Sequence, residues 1–333
     1  MTKHPAVSGD LEGISSLIVG GAVFNTQYND NPEDLAIEAI ISYALDNGMN
    51  AFDTSPYYGP SEVMIGQAFK SLTDKGIIAR ENYYICTKVG RIRLDEFDYS
   101  AEWVKKSIAR SLERLHTTYL DVVHLHDIEF CTETQIFEAL SALKELKAQG
   151  VIKYVGISGY PVDFLYQIAK KAKETASIGS LDTVMSYSNM CLQNTTLLEY
   201  HDRFFQDCDI KMLNNASILS MSLLRTGSTK TFHPAPQELK DTCEELGKQL
   251  KEKYDEDLTD LSVRFALRGW NDKRGSTVIG CSNVAELEDT AIQFKTISEN
   301  GSVSASKDAP VVEFAQKFLG THLNEVWKSG IEH

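Results

Sequence analysis

Eight short apolar runs, many of them β-branched, alternate with longer amphipathic stretches along this 333-residue chain. No shift in composition interrupts the alternation, and the length is one that a single barrel of such units often reaches. Together these observations predict the α/β class and, within it, a (β/α)8 TIM barrel with extra helices between strands 7 and 8 and at the C-terminus. Eight units in series disfavour a doubly wound sheet. Residues 1–333 are expected to form one domain.

The first strand is expected over 16–20, an apolar run ending in glycine. A helix follows over 32–47, with Pro32 near its start and Gly48 just past its end. The second strand is 50–54 and its helix 61–72. The third unit pairs 83–89 with 101–115, and the fourth pairs 121–126 with 134–149, closed by Gly150. The fifth strand is 154–158, with a helix from Pro161. The sixth strand is 183–187, with 194–207 behind it, and the seventh is 210–216. Strand 8 falls at 277–280 and its helix at 284–294. Between strands 7 and 8, residues 220–233 read as a loop, and 236–254 and 258–269 carry helical patterns. A further helix is expected at 310–319, and the end of the chain, with Trp327 and His333, is expected to fold back over one mouth.

Hydrophobic residues at 42% and charged residues at 24% are ordinary for a globular protein. The net charge of −14 comes without any block of Lys and Arg, so nucleic acid and anionic membrane surfaces are disfavoured as partners. The first apolar run, 17–24, is short and holds two glycines, and so suits neither a secretory signal nor a spanning helix. Cys86, Cys131, Cys191, Cys208, Cys243 and Cys281 show no CxxC or zinc spacing and read as reduced, buried thiols of a cytoplasmic protein.

Catalytic groups of a parallel barrel come from the carboxyl ends of its strands. Asp53 ends the second strand, Lys88 the third, His126 the fourth and Ser158 the fifth; Tyr58 lies on the loop after the second. A free phenol, with a pKa of about 10, shuttles protons poorly near neutrality. An ammonium beside it favours the phenolate, and a carboxylate beyond keeps the ammonium charged. Asp53, Lys88 and Tyr58 suit such a chain, with His126 reaching the same substrate oxygen. The set fits proton transfer at a carbonyl or alcohol oxygen while a hydride moves at carbon. His124, two residues before His126, reads as a core histidine on the same face. His-x-His at a strand end also occurs in metal-dependent barrel hydrolases, but no other strand end supplies a second histidine pair, and no metal is expected. No G-x-G-x-x-G follows a strand, so a Rossmann site is disfavoured.

The run Asp53-Thr54-Ser55-Pro56-Tyr57-Tyr58-Gly59, then Thr87-Lys88, Leu125-His126 and Gly156-Ile157-Ser158, resembles the aldo-keto reductase family in order and spacing over nearly the whole chain. The resemblance implies that Tyr58 is the catalytic acid/base, tuned by Lys88 and Asp53, and that His126 orients the substrate. Three positions depart from the family pattern: Gly159 stands where Asn is common, Ala216 where a tyrosine stacks on nicotinamide, and Met185 or Ser186 where glutamine is common.

The resemblance also implies cofactor contacts. Ser158 would meet the nicotinamide, and Ser217, Leu219 and Ser222 would cover the pyrophosphate. The backbone amides of Cys281, Ser282 and Asn283 would bind phosphate ahead of a helix. NADP-using members carry basic residues where Gly280 and Glu286 stand here. A carboxylate repels a 2′-phosphate, whereas Glu286 or Asp289 suits ribose or adenine, so NAD is expected over NADP. Phe24, Tyr28, Tyr57, Glu129 and Phe130 are expected around the sugar together with His126.

Within the family the chain resembles members that oxidise D-arabinose at C1 to the lactone, and the resemblance implies that activity with NAD, on a route toward D-erythroascorbate. The alternatives are an NADPH-dependent aldehyde or ketone reductase and a non-catalytic, cofactor-binding regulatory barrel. A monomer or weak homodimer fits equally well.

Overall fold

The computed structural model describes residues 2–333, with the backbone alone for 301–306. Its barrel strands are β1 (Leu17–Gly20), β2 (Ala51–Asp53) and β3 (Tyr84–Val89). A small antiparallel hairpin of β4 (Arg91–Arg93) and β5 (Glu96–Phe97) follows. The barrel then continues through β6 (Leu120–His126), β7 (Ile152–Gly159), β8 (Thr183–Tyr187), β9 (Met212–Ala216) and β10 (Thr277–Gly280). Each of the eight pairs in parallel with its neighbours, and β10 closes onto β1, with Leu17 opposite Thr277. Strands covered on both faces read as continuous apolar runs, and every residue of β3 and β6 is buried. Lys88 and His126 are therefore polar groups placed by force inside apolar strands.

Helices α1 (Ile37–Asp46), α2 (Ser61–Asp74), α3 (Ala101–Arg114), α4 (Glu133–Ala148), α5 (Val162–Glu174) and α6 (Thr196–Cys208) surround the barrel. Their starts follow local chemistry where a side chain is available: Ser100 caps α3 by accepting from Trp103 N–H, and Thr132 and Gln135 form a capping box on α4. A second apolar cluster joins α7 (Gln237–Tyr254), α8 (Leu258–Trp270), the end of α9 (Val284–Leu319) and Trp327. The insertion 220–233 begins with a short 3-10 turn, Ser220–Ser222.

Three features differ from expectation. Pro32–Asp34 forms its own 3-10 turn, and α1 starts only at Ile37 because Leu35 is extended. The helices expected at 284–294 and 310–319 are one, α9, which runs through Pro310. A proline inside a helix removes a backbone hydrogen bond, but Arg264 and Arg268 on α8 grip Asp308 just ahead of it, at 2.9–3.1 Å. The hairpin β4–β5 was not expected, since its residues are mostly charged and too few to show alternation. The last residues return across the carboxyl end of the barrel, where Trp327 to Gly330 line the central cavity.

Candidate active site

A cavity of about 800 Å³ opens at the carboxyl ends of the strands and takes in Asp53, Tyr58, Lys88, His126 and Ser158. Asp53 ends β2, and Lys88 stands one strand over on β3. The Lys88 ammonium donates to Asp53 Oδ1 at 2.5 Å and to the Thr54 carbonyl at 3.1 Å. It lies 4.8 Å from the centre of the Tyr58 ring, whose loop is held by a turn from Ser55 C=O to Tyr58 N–H. The Tyr58 and His126 rings meet edge to face at 5.5 Å.

Ser55 holds the His126 ring from its Nδ1 side. Ser55 Oγ accepts from Tyr57 N–H and lies 3.1 Å from His126 Nδ1. When the hydroxyl donates to Nδ1, the ring proton sits on Nε2, and this is the tautomer that presents a donor to the cavity. Tyr99 fixes the backbone by donating to the His126 carbonyl at 2.7 Å. Burial, with Lys88 and Arg91 adding repulsion, holds the imidazole well below its ordinary pKa, so it is neutral.

Burial would push the Lys88 ammonium down, yet Asp53 and Tyr58 raise it above its ordinary value. The same burial acts on Tyr58 in the direction opposite to the sequence expectation. Desolvation outweighs the pull of Lys88 and pushes the phenol up to about 12. Tyr58 is therefore a neutral donor near neutrality, not a group eased toward phenolate.

At the other end of the cavity, four residues of the loop after β9 take positive φ: Ser217 at 54°, Ser220 at 46°, Met221 at 48° and Ser222 at 89°. Such strain persists only where the surroundings enforce it. Ser217 Oγ accepts from Met221 N–H and Ser222 Oγ from Lys230 N–H, so both hydroxyl protons remain for a ligand. Ser217, Leu219 and Ser222 line the cavity, as do Gly280, Cys281 and Ser282. Asp260, Glu286 and Asp289 line this same end. The volume and the serine hydroxyls at this end fit a dinucleotide.

Several expected contacts fall elsewhere. Phe24 is 1% exposed, packed in the barrel core and not on the cavity. Glu129 is fully buried behind the wall, where it accepts from Tyr160 N–H and Ser329 Oγ, each at 3.0 Å. Asn283 caps α9 by accepting from Glu286 N–H and does not line the cavity. The Ser282 amide donates to Glu286 Oε2 at 2.8 Å, so the carboxylate occupies the amide assigned to phosphate. Ser158 lines the cavity but donates its hydroxyl to the Leu125 carbonyl. Tyr28, Tyr57 and Phe130 do line it. Tyr28 meets Phe232 of the 220–233 loop edge-on at 5.3 Å.

The family departures gain physical reasons. A Cβ on Gly159 would lie 2.4 Å from Glu129 Oε2, so an asparagine there would require the Glu129 carboxylate to shift. Met185 faces the cavity while Ser186 is fully buried with Asn189. Tyr187 pairs with Ala216 across β8 and β9, and both line the cavity, which brings an aromatic ring beside the small residue. His124 is buried 3.4 Å from Thr183 Oγ1, outside the cavity lining. Among the described residues no cluster of three or more His, Cys, Asp or Glu could hold a metal ion.

Arg91 and Asp127 went unnoticed in the sequence. They form an ion pair in the cavity wall beside His126. Asp127 follows His126 directly, but nothing local in the sequence links it to Arg91.

A sequence model of the Aldo/keto reductase family matches residues 16–301. The chain is 48% identical over 326 residues to D-arabinose 1-dehydrogenase of Saccharomyces cerevisiae, covering 97% of this chain and 96% of the relative. It is 32% identical over 321 residues to L-galactose dehydrogenase of Arabidopsis thaliana, covering 96% and 94%. An aldo-keto reductase of Bacillus halodurans, solved in its holo form, superposes with a TM-score of 0.67 at 22% identity and covers 98% of each chain. That similarity speaks for the fold.

Proposed function

The chain belongs to the aldo/keto reductase family, and on that premise we propose that it is an NAD-dependent aldose 1-dehydrogenase. D-arabinose is the substrate we infer, from the relative of that name, and the lactone product suits a route toward D-erythroascorbate. The observation that carries the reading is the convergence of the Tyr58 phenol and the His126 Nε2–H on one cavity, with Lys88 behind the phenol and tied to Asp53. Bound NAD supplies the hydride acceptor. His126 donates from Nε2 to the C1 oxygen of the sugar hemiacetal. Tyr58, as phenolate, takes the C1 hydroxyl proton while the C1 hydrogen leaves with its electron pair and the C1–O double bond of the lactone forms. Lys88 stabilises the phenolate, and Asp53 keeps the lysine charged.

The preference for NAD rests on Asp260, Glu286 and Asp289, which give one end of the cavity an anionic wall that repels a 2′-phosphate. The neutral Tyr58 phenol favours a second reading, an NADPH-dependent carbonyl reductase, because a phenol with its pKa pushed up to about 12 carries its proton at neutral pH and has one to give to a carbonyl oxygen. The anionic wall opposes it. Tyr57 and Phe130 are apolar surfaces for the sugar, and the six free, buried thiols suit a cytoplasmic protein. No described helix is long and apolar enough to cross a membrane. A monomer or weak homodimer is the proposed assembly.

Absorbance of reduced nicotinamide, followed with D-arabinose and other aldoses and with NAD or NADP, tests the proposal. Reduction of NAD well ahead of NADP is expected. Strong NADP use would overturn the cofactor argument. Tyr58→Phe is expected to lose turnover while retaining cofactor binding, and near-normal turnover would sink the mechanism.

A further inference from the structure

Asp127 follows His126 at the end of β6 and takes a left-handed backbone, φ 57° and ψ 60°. For a non-glycine residue this conformation is uncommon, and it opens the 3-10 turn Ile128–Phe130 while Asp127 lines the cavity. Its Oδ2 accepts from Arg91 Nη1 and lies 3.6 Å from His126 Nε2. Among the described residues nothing hydrogen-bonds to Oδ1, and that atom is not sealed from the cavity. Arg91 is itself fixed. It donates to the Leu94 carbonyl at 2.9 Å, and its guanidinium sits over Tyr57 at 4.1 Å, Phe97 at 5.3 Å and Phe130 at 5.5 Å.

A carboxylate held this firmly is an acceptor with one oxygen unspent. The oxygen at the reacting carbon is met by Tyr58 and His126. Vicinal hydroxyl oxygens of a sugar are close neighbours, and the Asp127 carboxylate is a close neighbour of His126, with Oδ2 at 3.6 Å from Nε2 and Oδ1 on the same carbon. We propose that Asp127 is a specificity-determining residue: its carboxylate, fixed by Arg91 beside His126, accepts the hydroxyl on the carbon next to the reacting carbon. This rests on the aldose reading and sharpens it, because the substrate class becomes a carbonyl or hemiacetal carbon that bears a neighbouring hydroxyl. Aldehydes without one leave a buried carboxylate oxygen unpaired and are disfavoured.

The test compares D-arabinose with 2-deoxy-D-ribose, the same pentose lacking the C2 hydroxyl, in the wild type and in Asp127→Asn. Wild-type kcat/KM should fall about tenfold to hundredfold on the deoxy sugar, the range for a hydrogen bond to a charged group. Asp127→Asn should lose a similar factor on D-arabinose, mainly through KM, and change little on the deoxy sugar. Equal wild-type efficiency on the two sugars overturns the assignment without any variant, so a poorly folded Asp127→Asn does not protect it. Equal loss on both sugars in Asp127→Asn also overturns it, and makes Asp127 a positioning residue for His126. Oxidation of neither sugar by the wild type overturns the aldose reading itself.

Discussion

Asp53→Asn separates charge from shape in the buried pair behind Tyr58. The Lys88 and Asp53 side chains are 2% and 3% exposed, and the other acceptor for the ammonium is the Thr54 carbonyl at 3.1 Å. Asparagine keeps an oxygen for Lys88 to bond but removes the counter-charge. A buried charge stripped of its partner costs about 3–5 kcal/mol. If the lysine sheds its proton instead, neutralisation from an ordinary pKa of about 10.4 costs about 4 kcal/mol at pH 7.5 and about 2 kcal/mol at pH 9. The cheaper route wins, so the variant should lose about 3–4 kcal/mol at pH 7.5 and about 2 kcal/mol at pH 9. The wild-type ammonium stays charged across this window, because its pKa is raised above the ordinary value, so the narrowing belongs to the variant. Urea unfolding at both pH values measures it, with Lys88→Met alone and combined with Asp53→Asn as companions. The double variant buries no charge and should be more stable than Asp53→Asn. A loss under about 1 kcal/mol at pH 7.5, or one that does not change with pH, would refute the account of a charged lysine held by Asp53.

Two further outcomes follow from burial. The Tyr58 pKa is raised, so the phenolate that oxidation needs grows as pH climbs toward about 12. Sugar oxidation at saturating substrate should therefore rise with pH from 7 to 10, with a log–log slope near about 1, while aldehyde reduction stays flat. A flat oxidation profile, measured with chemistry rate-limiting, would remove Tyr58 as the base. Gly159→Ala places a Cβ 2.4 Å from Glu129 Oε2, so the carboxylate must shift while Tyr160 N–H and Ser329 Oγ hold its other oxygen, Oε1. The strain should cost about 1–3 kcal/mol. Calorimetry should show the melting temperature fall, and an unchanged value would mean that Glu129 moves freely.

Most of the barrel could be read from the sequence because its signals are local. A buried parallel strand is a short apolar run, and a lysine or histidine within one stands out as an expense that only a partner or a function explains. Lys88 and His126 stood out for this reason, and Asp53 for ending such a run. Sequence reading failed where meaning lies in distant pairs. Arg91 sits in a charged hairpin that looks like surface, and only the folded chain shows its partner 36 residues on. Glu129 looked like a mouth residue from its position after β6, but its role is set by Ser329, 200 residues away. Asn283 and Glu286 were assigned to ligand, and the chain spends both on the first turn of α9. Pro310 read as a helix start because its neighbours on α8, which hold Asp308, are remote in sequence.

Burial also decides which protons the site holds, and this constrains the substrate more than shape does. Desolvation keeps Tyr58 a phenol and His126 a neutral imidazole, while Asp53 keeps Lys88 an ammonium. Near neutrality all three are donors, while Asp53 turns Oδ1 to Lys88 and its Oδ2 is sealed from the cavity. An oxygen entering between Tyr58 and His126 is met as an acceptor, as a carbonyl or an ionising hydroxyl would be. A sugar brings further hydroxyl protons that these donors cannot accept. The acceptor beside His126 is Asp127, whose charge is sustained by an arginine that the chain anchors on three aromatic rings. Donors at the reacting oxygen and a fixed acceptor next to it form a pattern complementary to a hydroxylated carbon chain. A plain aldehyde would satisfy the donors and strand the carboxylate, so the selectivity for sugars lies in the same desolvation that sets the proton inventory.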